Sequence, residues 1–223
     1  MQIAIDGPSG AGKSTLAKAL AREFRFLYVD TGAMYRAVGL YMRNRGIDPL
    51  DRPAVLDALP AVSVELKYEE DGQHILLCGE DVSRQIRENE ISRYASDVSK
   101  IPEVRTFLTE KQKRIAETCD VVMDGRDIGT VVLPSAELKI FLSASPETRA
   151  RRRAEELAEK GQTVSVEQVL EEMRQRDEAD RTRDIAPAIP AEDAIPVDNS
   201  RMSVPETVCL IRGILIGKGL LKP

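Results

Sequence analysis

The octapeptide Gly7-Pro8-Ser9-Gly10-Ala11-Gly12-Lys13-Ser14 follows directly after a short apolar run, Ile3-Ala4-Ile5-Asp6. It matches the phosphate-loop pattern G-x-x-x-x-G-K-[ST] at every fixed position. Glycines allow the backbone to turn tightly, so that its N–H groups point inward at a phosphate. Apolar residues recur at helical spacing behind the octapeptide. The segment therefore predicts a strand, a phosphate-binding loop and a helix, and with them the binding of a nucleoside triphosphate.

Each part of this loop has an expected task. Lys13 reaches the outer phosphates, Ser14 offers its hydroxyl to Mg²⁺, and the helix that begins here adds its positive dipole end. The expected triphosphate-binding residues of the loop are Gly7, Pro8, Ser9, Gly10, Ala11, Gly12, Lys13, Ser14 and Thr15. The alternative, a glycine-rich turn without a ligand, is disfavoured because such a pattern arises by chance in roughly one chain in a hundred of this length.

Composition narrows the class of protein. The 223 residues are 42% apolar and 31% charged, as in an ordinary globular protein, and no apolar run approaches the roughly 20 residues that span a bilayer. With no signal peptide before the first strand, we expect a cytoplasmic protein without a membrane partner. The net charge of −5 argues against a nucleic-acid surface, and a single histidine argues against a histidine base or a histidine-ligated metal.

Five nearly continuous apolar runs alternate with helical stretches, as is typical of buried parallel strands. These runs are Gln2–Asp6, Phe26–Asp30, Asp120–Asp124, Leu138–Ser143 and Ala194–Asp198. The alternation predicts an open α/β sheet that binds its ligands at the carboxyl ends of the strands. An excursion between about residues 45 and 93 breaks the pattern, and Val62–Tyr68 and His74–Cys78 predict a β-hairpin around Asp71-Gly72.

Two further segments carry residues suited to phosphate chemistry. Arg126 and Asp127 lie between glycines after the strand that ends at Asp124, where a carboxylate near a metal is expected; a surface Arg–Asp pair is the alternative. Arginine is also concentrated between residues 149 and 183, and a helical spacing there predicts shared faces for Arg149, Arg152 and Arg153 and for Arg176, Asp180 and Arg183. Solvated charged faces are the alternative, but phosphoryl transfer needs such cations.

Four segments, taken together and in this order along the chain, resemble bacterial cytidylate kinases: Ile5-Asp6-Gly-Pro-Ser-Gly-Ala-Gly-Lys13, Asp30-Thr-Gly-Ala-Met-Tyr-Arg36, Asp124-Gly-Arg-Asp-Ile-Gly-Thr130 and Arg176-Asp-Glu-Ala-Asp-Arg-Thr-Arg183. The similarity runs from residue 2 to about residue 200. It implies one P-loop kinase domain over residues 1–223, in which helices flank a five-stranded parallel sheet. It also implies a small β-containing monophosphate-binding insert at about residues 37–100 and a helical lid at about residues 149–164.

The resemblance also implies roles for individual residues. Arg36, Arg126 and Arg183 are expected to meet the phosphate of the acceptor nucleotide, and Ser96, Arg105 and Asp127 its base. Asp180 with Arg176 is expected to hold the ribose, and Thr31 to line the acceptor pocket where many relatives carry serine. The lid is expected to bring Arg149, Arg152 and Arg153 onto the donor phosphates. The implied catalytic residues are Lys13, Arg126, Arg183 and Arg153, and Ser14 is the implied metal ligand.

The expected reaction is therefore the transfer of a phosphoryl group from ATP, with Mg²⁺, to CMP or dCMP by a monomeric enzyme. One alternative is another small-molecule P-loop kinase whose acceptor is an alcohol, for which Asp30 is the candidate base. The arginine-rich acceptor side is poorly matched to a neutral alcohol. A second alternative is a nucleotide-dependent switch, but the chain has no N-K-x-D or T-K-x-D segment of the kind that reads guanine.

Overall fold

The computed structural model describes residues 1–69, 72–159 and 161–222, apart from the side chain of Asn89. It divides into two compact units. The first joins Met1–Tyr28 to Cys119–Pro223, and the second is Val29–Thr118. The predicted single domain, with an insert at about residues 37–100 and a lid at about residues 149–164, stays a prediction.

The strands, in chain order, are β1 Gln2–Asp6, β2 Leu27–Asp30, β3 Val64–Glu69, β4 Gly72–Leu77, β5 Glu80–Asp81, β6 Val121–Asp124, β7 Leu138–Ser143 and β8 Ile195–Asp198. The α-helices are α1 Lys13–Phe24, α2 Thr31–Asn44, α3 Arg52–Ala58, α4 Asn89–Val98, α5 Pro102–Thr118, α6 Pro146–Glu159, α7 Val166–Thr182 and α8 Val204–Gly217. Short 3₁₀ turns cover Leu59–Ala61 and Gln85–Arg87, and a π-turn covers Ile128–Val132.

The five-stranded sheet of the first unit has the order β2-β6-β1-β7-β8, and Leu27 and Tyr28 of the edge strand β2 belong to this unit. β1 pairs in parallel with β6 and β7, and β7 pairs in parallel with β8. All five predicted strands are confirmed to within one residue. Their apolar side chains pack against α1 and α8, as is typical of a parallel sheet covered by helices on its faces.

Local signals fix where the helices of this unit begin. Ser165 with Gln168 and Ser203 with Glu206 form capping boxes at α7 and α8. α7 ends at Thr182, and Arg183 has extended backbone angles. The prediction that Arg183 shares a helical face with Arg176 and Asp180 is therefore wrong, because Arg183 lies outside the helix. The side chain of Arg183 nevertheless turns back to α7 and Asp127, as described below.

The second unit combines α2–α5 with an antiparallel sheet of order β3-β4-β5. The predicted hairpin is confirmed as β3 and β4, although Asp71 of its turn lies outside the described residues. β5 was not predicted, because a two-residue strand leaves no periodicity to read. α2 lies so close to α4 that a Cβ on Gly39 would come within 2.9 Å of the Ala95 nitrogen.

Two properties of the described residues bear on the sequence-based expectations. None of their helices is both long enough and apolar enough to cross a bilayer. Cys78, Cys119 and Cys209 are all exposed, and none forms a disulfide. Cys78 lies in the second unit and the other two cysteines lie in the first.

Candidate active site

The phosphate loop connects β1 to α1 in the first unit. Gly7, Gly10 and Gly12 have φ angles of 146°, 71° and 86°, which side chains other than hydrogen rarely tolerate. At Gly7 the space is closed as well, since a Cβ would lie 2.0 Å from the Leu142 carbonyl oxygen of β7. Gly12 caps α1 without a side-chain hydrogen bond, so no cap side chain occupies the first N–H groups of the helix.

Side chains from later in the chain brace the loop. Asn199 Nδ2 donates to the Ala11 carbonyl at 2.9 Å, and Arg149 Nη1 donates to the Ser9 carbonyl at 2.9 Å. The Ser9 N–H donates to Asp177 Oδ1 at 3.1 Å. Asp177 and Asn199 were not predicted from the sequence. Asn199 carried a readable signal, because it directly follows a strand on the edge of the sheet where ligands are expected.

Lys13 is the buried cation of the loop. Its Nζ donates to the Pro8 carbonyl at 2.7 Å, and only 6% of the residue is exposed. Burial and the nearby charge of Arg126 hold the pKa of Lys13 well below its ordinary value, although Asp124 and Asp6 act in the opposite direction. An additional anion at this position would stabilise the protonated amine. The environment of Lys13 therefore favours a phosphate ligand.

The candidate metal site lies where β6 ends. Ser14 Oγ donates to Asp124 Oδ2 at 2.8 Å, and the Tyr28 hydroxyl donates to Asp124 Oδ1 at 2.9 Å. A hydroxyl and a carboxylate fit Mg²⁺, which is held in such sites by few protein oxygens together with substrate phosphates. The described residues contain no group of three or more acidic, histidine or cysteine side chains suited to an all-protein metal centre. Tyr28, too, was not predicted from the sequence.

Arg126 contacts α7, and Asp127 contacts Arg183, which directly follows that helix. Arg126 Nε donates to Asp180 Oδ2 at 2.9 Å, and Arg183 Nη2 lies 3.5 Å from Asp127 Oδ1. Less than a fifth of each of these four side chains is exposed, so a surface Arg126–Asp127 pair does not describe them. Burial raises the pKa of Asp180, but Arg126, Arg176 and Arg183 outweigh burial and hold that pKa below its ordinary value. The structure thus brings together two arginines and two carboxylates in alternation.

The three arginines of α6 have different surroundings. Arg149 is buried and donates to Asp177 Oδ2 at 2.5 Å and to the Ala144 carbonyl at 3.1 Å. Arg152 contacts Asn199, whereas Arg153 pairs with Glu156 on its own helix at 2.8 Å. A uniformly solvated face is therefore wrong for this group. Their contacts with donor phosphates stay a prediction, and Lys160 of the predicted lid lies outside the described residues.

The other predicted acceptor residues lie in the second unit. Asp30 caps α2 by accepting from the Ala33 N–H at 2.8 Å, and it also accepts from Arg36 Nη2 at 2.9 Å. Thr31 is buried in the first turn of that helix, and the buried Nε of Arg36 has no hydrogen-bond partner among the described residues. The guanidinium of Arg105 lies 5.7 Å from the centre of the Tyr35 ring.

Ser96 is half-buried on α4, and its carbonyl accepts a hydrogen bond from the Ser99 hydroxyl at 2.7 Å. The carbonyl of Ser99 accepts in turn from Arg105 Nη1 at 3.2 Å. Ser96 and Arg105 thus lie on neighbouring helices and are linked through Ser99. A role for either residue in reading a base stays a prediction.

Comparison with known proteins decides the family. The family model described as cytidylate kinase matches residues 3–214. The chain belongs to the cytidylate kinase family. A cytidylate kinase of Caldicellulosiruptor bescii is 50% identical over 208 residues, which are 93% of this chain and 92% of that protein. A cytidylate kinase of Pelotomaculum thermopropionicum is 50% identical over 210 residues, 94% of this chain and 93% of that protein.

Solved structures resemble this cytidylate kinase family member in fold. An uncharacterized protein from Eubacterium ventriosum has a TM-score of 0.55 at 12% identity, covering 97% of this chain and 98% of that one. Shikimate kinase from Acinetobacter baumannii, in complex with shikimate, has a TM-score of 0.50 at 14% identity, covering 99% of this chain and 95% of that one. At such identities the likeness concerns the fold, and it agrees with the predicted α/β kinase architecture.

Proposed function

We propose that this chain transfers the γ-phosphoryl group of ATP to CMP or dCMP, giving ADP and CDP or dCDP. The observation that carries the proposal is its membership of the cytidylate kinase family over residues 3–214. The phosphate loop and the buried Lys13 support the donor half of the reaction. The arginine–carboxylate network around Arg126 supports an anionic acceptor.

In this reaction an oxygen of the CMP phosphate forms a bond to the γ-phosphorus while the bond to the β–γ bridging oxygen breaks. The acceptor oxygen is already anionic, so the step needs charge stabilisation and alignment more than a base. Lys13 stabilises charge that develops between the β- and γ-phosphates, and Arg126 and Arg183 neutralise the acceptor phosphate. Mg²⁺, which Ser14 and Asp124 would hold, lowers the negative charge of the triphosphate when it is bound.

The proposal also assigns roles to the other residues that the sequence predicts for acceptor and donor binding. Arg36 binds the acceptor phosphate, and its unpartnered Nε supports that role because a buried donor without an acceptor is costly. Thr31 lines the acceptor pocket, and Ser96, Arg105 and Asp127 read the base. Arg176 and Asp180 hold the ribose. On the donor side, Arg149, Arg152 and Arg153 contact the phosphates of ATP when residues 149–164 close.

An alcohol acceptor is less favoured. Asp30, the candidate base for that chemistry, caps α2 and pairs with Arg36, so its carboxylate is held by two donors. The proposal further includes a monomeric, cytoplasmic enzyme whose partners are small nucleotides rather than nucleic acid or membrane.

A coupled assay of ADP release tests the reaction. The purified chain is incubated with ATP and Mg²⁺ alone and with CMP, dCMP, UMP or shikimate. We expect release that depends on the acceptor and is fastest with CMP or dCMP. Release that does not depend on any acceptor contradicts the kinase and favours the nucleotide-dependent switch. Release that is fastest with shikimate favours the alcohol kinase.

A further inference from the structure

Asp6 is a buried acid that none of the roles above uses. It is the last residue of β1 and directly precedes Gly7 of the phosphate loop, and only 4% of it is exposed. Each of its two carboxylate oxygens accepts one backbone N–H, Oδ1 from Ile128 at 2.8 Å and Oδ2 from Gly129 at 2.7 Å. Asp6 therefore holds the start of the π-turn that covers residues 128–132.

The hydrogen bonds of Asp6 extend the contact between β1 and the segment that follows β6. β1 and β6 pair up to Ile5 and Asp124, and the Gly125 N–H still donates to the Ile5 carbonyl at 3.0 Å. Arg126 and Asp127 come next, and Ile128 and Gly129, which Asp6 holds, follow them. Arg126 and Asp127 thus lie in a short segment that is hydrogen-bonded at both ends. Gly125 before them bonds to Ile5 of β1, and Ile128 and Gly129 after them bond to Asp6. The same strand end carries the phosphate loop.

The charge of Asp6 is costly where it lies. Burial raises its pKa from 3.8 to about 6, against the lowering effect of the two N–H donors. Asp127 also raises that pKa and Lys13 lowers it. Gly129 packs tightly between Asp6 and the side chain of Lys139. A Cβ on Gly129 would lie 3.3 Å from Asp6 Oδ2 and 3.2 Å from Lys139 Cδ. A side chain needed for packing alone would not require a charge here.

We infer that Asp6 is a positioning residue that holds the Arg126–Asp127 segment in place relative to the phosphate loop, so that the ionised carboxylate is needed for acceptor binding. When Asp6 takes up a proton, one of its oxygens becomes a hydroxyl, which accepts from the N–H that faces it much more weakly than a carboxylate oxygen does. One of the two hydrogen bonds that hold the segment is then weakened. The inference rests on the proposed function, because it is there that Arg126 and Asp127 bind the acceptor nucleotide.

The test compares the wild type with Asp6→Asn, whose amide replaces one acceptor oxygen at nearly constant volume. Asp120→Asn is the matched control, because Asp120 is an exposed acid of the same unit that pairs with the N-terminal amine. We expect Asp6→Asn to lower kcat/KM for CMP about tenfold to a hundredfold, and to weaken CMP binding in calorimetry without donor. KM for ATP should stay within about twofold, as should every parameter of the control.

The pH profile separates positioning from a structural role. The CMP phosphate itself titrates near pH 6, but it does so with both enzymes. The ratio of wild-type to Asp6→Asn kcat/KM for CMP therefore reports Asp6, and we expect this ratio to fall toward one as the pH decreases through about 6. A ratio that is constant with pH overturns the inference. Equal losses for ATP and CMP, accompanied by a lower Tm, overturn it as well.

Two further outcomes are distinguishable. If the wild type phosphorylates CMP and Asp6→Asn does so equally well, the positioning role fails and the proposed function stands. If the wild type does not phosphorylate CMP, the proposed function itself fails. Should Asp6→Asn not fold, Gly129→Ala disturbs the same contact from the other side. We then expect the same selective loss for CMP, and an unchanged kcat/KM for CMP in that variant overturns the inference.

Discussion

At the scale of single residues, the candidate site contains buried ionisable side chains. Their neighbours offset only part of the cost of burying the charged form. Lys13, Asp6 and Asp180 are all largely buried, and each has a shifted pKa for a different balance of burial and neighbouring charge. Such groups are concentrated where a charged ligand is expected to complete the balance. Four predictions belong at this scale, the first of them the Asp6→Asn comparison described above.

Lys13→Ala should lower kcat by orders of magnitude and leave the fold intact. The lysine stabilises charge in the transition state, a contribution of about 3–4 kcal/mol for one donor. Its removal also relieves the protein of a buried cation, so we expect no large loss of Tm. Steady-state kinetics and thermal unfolding measure both effects. Lys18→Ala on the same helix is the control, and a Lys13→Ala turnover within about fivefold of wild type contradicts the assignment of the loop.

Asp127→Ala should lower kcat/KM for CMP more than for UMP. Cytosine offers an amine that a carboxylate accepts from, whereas uracil presents a carbonyl oxygen at that position, and the mismatch costs roughly 1–3 kcal/mol. Asp127 also lies 3.5 Å from Arg183, so it has a second possible task in orienting that arginine on the phosphate. In that case both substrates lose efficiency equally. The ratio of kcat/KM for CMP and UMP in the variant decides, and an unchanged ratio refutes base reading.

Asp6 also predicts how stability depends on pH. Its pKa in the folded state, about 6, lies above the ordinary 3.8, so the folded state binds the proton more tightly than the unfolded state. The stabilising contribution is complete below about pH 4 and is lost as the pH rises through about 6. The loss amounts to about 3 kcal/mol. Urea unfolding of wild type and Asp6→Asn measures it: the difference in unfolding free energy, wild type minus variant, should fall from about pH 4 to about pH 7. A flat or rising difference contradicts this prediction.

At the scale of elements, α6 and α7 form a small apolar cluster of their own. Ala150 and Leu157 of α6 pack against Val169 and Met173 of α7, apart from the core that covers the sheet. The rest of both helices is largely exposed and charged. Movement of this helix pair would leave the main core in place but would break the contacts of Arg149 and Asp177 with Ser9. This arrangement suits the predicted lid at about residues 149–164.

We expect ATP together with CMP to slow hydrogen exchange in the predicted lid. Closure excludes water that would otherwise compete with CMP as the phosphoryl acceptor, and it protects backbone N–H groups in the same step. Exchange measured by mass spectrometry checks this, with α8 as the internal reference because it packs on the sheet. Unchanged exchange in the lid peptides shows that the lid assignment is wrong.

The sequence predicted those features whose pattern lies within a few consecutive residues. The five apolar runs are complete within a few residues, and the structure confirms them. The bracing of the loop by Asp177 and Asn199 joins residues far apart in the chain. The two hydrogen bonds from the 128–129 turn to Asp6 do so as well. Such contacts leave no periodic pattern, so they became visible only when the strands had been ordered in the sheet.

At the scale of the whole molecule, we predict a monomer. The large exposed apolar side chains among the described residues are Leu50, Tyr68, Val166, Ile185, Ile189, Val204 and Leu210, and of these only Val204 and Leu210 lie on the same helix, α8. Single apolar residues of this kind are normal on a monomer, whereas stable interfaces need a contiguous patch. We expect light scattering to give a mass near 24.7 kDa at every concentration tested. A mass near twice that value, or one that rises with concentration, contradicts the monomer.

The distribution of the cysteines has a practical consequence. Cys78 lies in the unit formed by Val29–Thr118 and Cys209 lies in the other unit, and both are exposed and outside any disulfide. With Cys119→Ser, the chain keeps one native attachment point for a spin label or fluorophore in each unit. Distance distributions between the two labels, recorded with ATP, with CMP and with both, report whether the distance between the labels differs among these ligand states. Neither thiol belongs to the proposed site, so kcat of the labelled protein should stay close to that of the wild type.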